Sequence, residues 1–176
     1  MGQDQGVTRR AAIGMGAAAA AATVLVANQA GAAQADPADA TKATITLAEA
    51  QTLLDAAVAK ATEINVPMYV LVVDESGKEK ASVRMDGNAL AALTLVPLKA
   101  NTAISFRSPT HALGQSVAED PVRLASLTTA GGFTLLGGGL PIRRGDAVIG
   151  AIGVGGGSPE QDITVGQAAL DALGGG

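Results

Sequence analysis

The sequence predicts an α+β fold, a five-stranded antiparallel sheet flanked by helices. Three observations carry this. Apolar runs of strand length are separated by short turn segments, which ties neighbouring strands antiparallel. Apolar residues at helical spacing precede, divide and follow those runs. The chain is 48% hydrophobic but only 2% aromatic, so its core must be built from Ala, Val, Leu and Ile in thin, closely packed layers.

The first helix opens on Thr46 and Glu49, a T-x-x-E capping box. Leu47, Ala50, Leu53, Leu54, Ala57, Val58 and Ala61 share one face, and Pro67 follows the end. Met68–Val73 is a continuous apolar run, as in a buried strand. Asp74-Glu75-Ser76-Gly77 is turn chemistry, and Lys78–Met85 is the return strand, closed by Asp86-Gly87. Leu90, Leu93, Leu98 and Ala103 mark a second helix, with Pro97 predicting a kink or a start near that point. "SPTHALGQS" (108–116) is a Pro-led turn or short helix, and "EDPVRLASL" (119–127) is a second Pro-led turn. Strands are expected near Phe133–Leu136, Leu140–Arg143 and Ala147–Val154, with Arg144-Gly145-Asp146 as a hairpin turn. Ser158 as N-cap, Pro159 at the first position and Glu160 open the last helix, whose apolar face is Val165, Ala168, Ala169 and Leu170.

Residues 1–35 are expected to be a twin-arginine-type secretory signal. Arg9 and Arg10 precede an uncharged run from Ala11 to Ala27, and Ala33-Gln34-Ala35 is a small-x-small cleavage site. The run is short and Ala-rich for a span, so no stable membrane insertion is expected after cleavage. Residues 36–43 are a polar linker, and 44–176 form the domain. The expected location is secreted.

Several functions are excluded or weakened by what the chain lacks. A net charge of −4 argues against a nucleic-acid partner, which demands a basic face. Without cysteine there are no disulfides and no thiolate metal ligands. No G-x-S-x-G elbow supports a serine hydrolase. The "GGG" runs at 137–139 and 155–157 lack the Lys-Ser/Thr of a phosphate loop, and serve tight turns and close backbone approach instead. The helix start at Ser158 could bind an anion.

Three groups of residues remain as candidates. Asp74, Glu75 and Glu79 cluster around one turn, where carboxylates could hold iron or another hard cation, with Lys78 and Lys80 diluting the field. His111 is the only histidine and can act as a base or ligand. Lys99, Arg107 and Arg84 can pair with carboxylates of a ligand.

"VRMDG", "KANTAISFRSPT", "GGGLPIRRGDAVIGAIGVGG" and the later Gln161-Asp162 resemble the GlcG/HbpS family of small haem-binding proteins, from about Thr44 to Leu173. The match is nearest to its secreted actinobacterial branch. The resemblance implies the α+β sandwich, a homo-oligomer (an octamer in that branch), and haem and iron binding outside the cell. It also implies modulation of a two-component sensor kinase under redox stress. An alternative within the same family is a haem-degrading or other small-molecule-converting enzyme, and a further one is an interaction protein that engages a membrane sensor. The family's haem contact falls on Thr110, a weak axial ligand. His111 stands beside it as second candidate, and Lys99, Arg107 and Arg84 are candidates for the propionates. The family's surface iron pair maps to Glu75 and Lys78; a lysine cannot ligate iron, and Glu79 would have to substitute. Gly155 replaces the family's usual serine.

Overall fold

The computed structural model describes residues 43–174. The predicted signal, and all of the linker except Ala43, lie outside the described residues. The elements are α1 (Leu47–Glu63), β1 (Tyr69–Asp74), β2 (Glu79–Arg84), α2 (Ala92–Phe106), α3 (Thr110–Val117), α4 (Pro121–Thr129), β3 (Gly139–Arg144), β4 (Ala147–Gly155) and α5 (Pro159–Asp171).

The sheet is antiparallel and has four strands in the order β2-β1-β4-β3, not five. The missing strand is Phe133–Leu136. Glycines at positive φ stand on both sides of it, Gly131 (φ 73°) and Gly132 (φ 79°) before and Gly138 (φ 107°) after. Its backbone groups bond to side chains rather than to a neighbouring strand. Thr134 N donates to Thr102 Oγ1 at 2.9 Å, and Leu136 O accepts from Thr110 Oγ1 at 2.6 Å. An apolar tetrapeptide reads as a strand in sequence, but glycine-bounded chain satisfied by threonines cannot join a ladder.

α1 and α5 pack on one face of the sheet and α2 on the other. On the first face Leu53, Leu54, Val70, Val72, Ile142, Ile152 and Val165 form the larger core. On the second, Leu71, Val73, Val96, Ala100, Ala103 and Ala151 form the smaller one. The strand alternation divides the two: Val70 and Val72 face one way, Leu71 and Val73 the other. A Cβ on Gly153 would lie 2.5 Å from Val96 O, so α2 lies too close to β4 for any side chain there. Thin layers made with small residues are how the chain manages with so few aromatics.

The predicted capping box of Thr46 and Glu49 forms at the start of α1, and the predicted N-cap Ser158 makes a second box with Gln161 at the start of α5. α2 runs unbroken through Pro97, but its buried side is Ala92, Val96, Lys99, Ala100, Thr102 and Ala103. Leu90 and Leu93, part of the spacing that predicts the helix, are 78% and 44% exposed. α3 is the short helix allowed for 108–116, and α4 replaces the expected second Pro-led turn.

Candidate functional site

The two glycine triplets meet in space. Val154 N donates to Gly138 O at 2.9 Å, which brings 137–139 beside the end of β4. Over this junction α2 presents Lys99. Its ammonium is 3% exposed and donates to Val154 O at 2.9 Å and to Asp162 Oδ2 at 2.6 Å. Asp162 comes from the first turns of α5, and its other oxygen accepts from Gly157 N at 3.1 Å. Burial raises the Asp162 carboxyl above its usual range, against the pull of Lys99 and of the Gly157 N–H. A Cβ at Gly138 would lie 2.7 Å from Asp162 Cβ and 3.1 Å from Lys99 Nζ, so glycine there is what lets the ion pair close.

Gly139 sits between the two sequence candidates Lys99 and Thr110. Its absent Cβ would meet Lys99 O at 2.4 Å and Thr110 Cγ2 at 2.5 Å. Thr110 is 0% exposed, and its hydroxyl donates to Leu136 O at 2.6 Å and accepts from Gly139 N at 3.1 Å. That hydroxyl is a latch holding the 136–139 segment against α3. His111, one position on, is half-buried, and its Nδ1 is buried without a hydrogen-bond partner among the described residues. It shares a side of α3 with Gly114, which packs against Leu135. The only two phenylalanines of the chain, Phe106 at the end of α2 and Phe133 at the start of the 133–136 segment, stack edge to face with centroids 5.1 Å apart. The first turn of α3, which carries His111, is thus tied through Thr110 to the apolar 133–136 segment.

The predicted cations do not converge on one group. Lys99 is spent on Asp162. Arg84 is exposed at the end of β2 opposite Tyr69. Arg107 is exposed beyond α2 in a left-handed conformation (φ 51°), and its carbonyl accepts from Arg143 at 2.8 Å. These two arginines stand toward opposite ends of the sheet and cannot face the same small group.

The acidic hairpin also departs from expectation. No group of three or more His, Cys, Asp or Glu converges on a metal position among the described residues. Asp74 Oδ1 accepts from Ser76 N at 2.9 Å and Lys78 N at 3.0 Å, Glu75 Oε1 accepts from Ser76 Oγ, and Glu79 Oε1 accepts from Ser82 Oγ at 2.6 Å. The carboxylates form the turn instead of a cation site. The α5 start is similarly closed to an outside anion: Gly157 N, Ser158 N and Gln161 N all donate to α5's own side chains.

Asp162 is the residue sequence reasoning missed. Two signals pointed to it. Lys99 interrupts an apolar helix face, and an acid in the first turns of α5 is surplus to a cap already completed by Ser158 and Gln161. Beside the pair opens a mostly apolar cavity of about 270 Å³, lined by Ala89, Ala91, Leu95, Leu136, Gly155 and Pro159 among others.

A four-stranded antiparallel sheet between helices, with glycine triplets closing over a buried Lys-Asp pair, defines a small α+β domain. The family described as haem degrading protein HbpS-like matches residues 45–171, and the chain belongs to it. A 15.0 kDa protein from the dhaT-dhaS intergenic region of Citrobacter freundii is 40% identical over 132 residues, covering 74% of this chain and 93% of the relative. The corrinoid adenosyltransferase PduO of Salmonella typhimurium is 36% identical over 123 residues, 69% of this chain but only 36% of that enzyme's length. The crystal structure of a PduOC:haem complex superposes with a TM-score of 0.70 at 32% identity, covering 76% of this chain and 97% of that one. The crystal structure of HbpS superposes with a TM-score of 0.68 at 31% identity, covering 74% and 91%. No helix among the described residues is long and apolar enough to cross a membrane.

Proposed function

We propose that this protein binds haem on the surface formed by the first turn of α3 and the 133–136 segment. The observation that carries the reading is the match over residues 45–171, joined to a relative of the same fold solved with haem. The residues present fit the group. An imidazole is a strong axial donor, and His111 is the only one in the chain. Phe106, Phe133, Leu135 and Leu136 supply apolar surface. His111 is the axial candidate. Thr110 holds the 136–139 segment behind it, since its hydroxyl already serves Leu136 O and Gly139 N. Arg107, four residues before His111, is the cation offered to a propionate. Haem contributes redox chemistry and a chromophore when bound; the chain contributes orientation, an apolar wall and one nitrogen.

In this reading the protein is exported through its twin-arginine signal, assembles as a homo-oligomer (an octamer in the secreted branch it resembles), and serves in haem handling or redox sensing outside the cell. Engagement of a sensor-kinase ectodomain rests on the resemblance alone. The family's description favours one alternative, haem degradation. Haem titration of the full chain is the test. The reading expects a Soret shift at micromolar haem that His111→Ala removes and that Thr110→Ser retains. No shift in the wild type overturns it. Loss in Thr110→Ser with retention in His111→Ala moves the ligand back to Thr110. Bleaching of the Soret band with reductant and oxygen selects the degrading enzyme.

A further inference from the structure

The cavity above the Lys99–Asp162 pair shares only Leu136 with the proposed haem surface. At about 270 Å³ it lies just below the roughly 300–1,000 Å³ of sites for drug-sized ligands, a size that suits a compact ligand better than a whole porphyrin. Its walls are Ala89, Ala91, Leu95, Leu136 and Pro159, and its only ionic groups are Lys99 and Asp162. An ammonium has three protons to donate. Val154 O and Asp162 Oδ2 take two, and the third has no partner among the described residues. Gly155 also lines the cavity; a Cβ there would meet Val96 Cγ2 at 2.6 Å and lie 3.8 Å from Nζ, so glycine lets α2 sit close to β4 at this point. The cavity thus opens beside a buried, incompletely used donor.

The chemistry of the site selects its occupant. Asp162 at 2.6 Å already neutralises Lys99. A ligand carboxylate would gain little from the cation and would be repelled by Asp162. The N–H groups at the α5 start that could attract an anion are turned inward to Ser158, Gln161 and Asp162. A neutral oxygen acceptor meets neither objection: it takes the third ammonium proton and leaves the pair intact. An apolar body then fills the alanine and leucine walls. We propose that this cavity is a binding site for a small, uncharged carbonyl compound, an aldehyde or ketone with a compact hydrocarbon body, held by a hydrogen bond from Lys99.

A matched pair of probes tests this on the full-length protein: cyclohexanone and cyclohexanecarboxylate, followed by backbone amide NMR. Cyclohexanone is expected to move the amide signals of Gly155, Gly156 and Gly157 in a saturable way, and cyclohexanecarboxylate to bind on the order of tenfold more weakly, the worth of about one hydrogen bond. Ala91→Trp, an exposed position at the cavity wall, should abolish the cyclohexanone response while leaving the haem titration unchanged. The double variant Lys99→Met/Asp162→Leu keeps an apolar filling and removes the donor; it should weaken cyclohexanone by a similar factor. Shifts that persist in Ala91→Trp, or equal binding of the carboxylate, overturn the proposal. So does loss of haem binding in Ala91→Trp, which would make the cavity part of the haem site.

Discussion

The two ends of β1 carry charge in opposite ways. At the Asp74 end, three carboxylates crowd one hairpin on half-buried or exposed residues, and each is used on a neighbouring backbone N–H or serine. At the Tyr69 end, a single lysine and a single aspartate are nearly free of water and hold each other across two glycine triplets. The hairpin end has the sequence of a metal site and the structure of a turn. The Tyr69 end has the sequence of ordinary helices and is where the cavity and the α3 latch meet. A charge in water is cheap and says little about function; a charge in the core persists only when paired, so it marks a place the fold is built around.

Breaking that contrast should give unequal effects. Lys99→Ala or Asp162→Ala strands the partner as a buried charge and should cost about 3–5 kcal/mol in denaturant unfolding. The paired replacement Lys99→Met/Asp162→Leu should recover most of that loss, because no charge remains to desolvate. Gly139→Ala forces a Cβ against Lys99 O and should cost about 1–3 kcal/mol. Thr110→Val leaves Leu136 O and Gly139 N without their partner, for about 1–3 kcal/mol. At the hairpin end, Glu79→Gln should stay within about 0.5 kcal/mol and leave iron binding unchanged.

Acid titration sharpens the same comparison. Burial raises Asp162, so between its unfolded and folded values the native state holds the extra proton. Its contribution therefore falls as pH rises through that window. Glu49 works in the other direction. The Thr46 backbone N–H, then Arg144 and the Thr46 hydroxyl, hold its carboxyl low, so its contribution is present above the ordinary glutamate range and is lost as pH falls. Relative to wild type, Asp162→Asn should flatten the first dependence and Glu49→Gln the second, in unfolding midpoints measured across the acid range.

Much of the fold was legible because its signals are local. The capping box at Thr46, the N-cap at Ser158, the apolar run before Asp74, and the turn at Gly145 each need only neighbouring residues. Sequence and structure part where tertiary partners decide. Phe133–Leu136 has a strand's composition, but threonines on α2 and α3 take its backbone bonds. Leu90 and Leu93 fit the helical period yet face outward, because Ala92, Val96 and Ala100 are the small side that the glycines of β4 admit. Of the candidate site, Thr110, His111 and Lys99 were visible as residues. The partnership of Lys99 with Asp162 was not, since 63 positions separate them and only the packed α2–β4–α5 junction brings them together. Arg84 and Arg107 share charge and sequence neighbourhood with them, and the sheet holds those two arginines apart.

The central claim, haem held through His111, can be read from a single side chain. As His111 is the only histidine, labelling the protein with [15N]histidine gives one imidazole, and a diamagnetic metalloporphyrin can be titrated against it by NMR. The account predicts that both imidazole nitrogen signals shift in step with the Soret band of the bound porphyrin. An imidazole that stays unmoved while the porphyrin binds would contradict it.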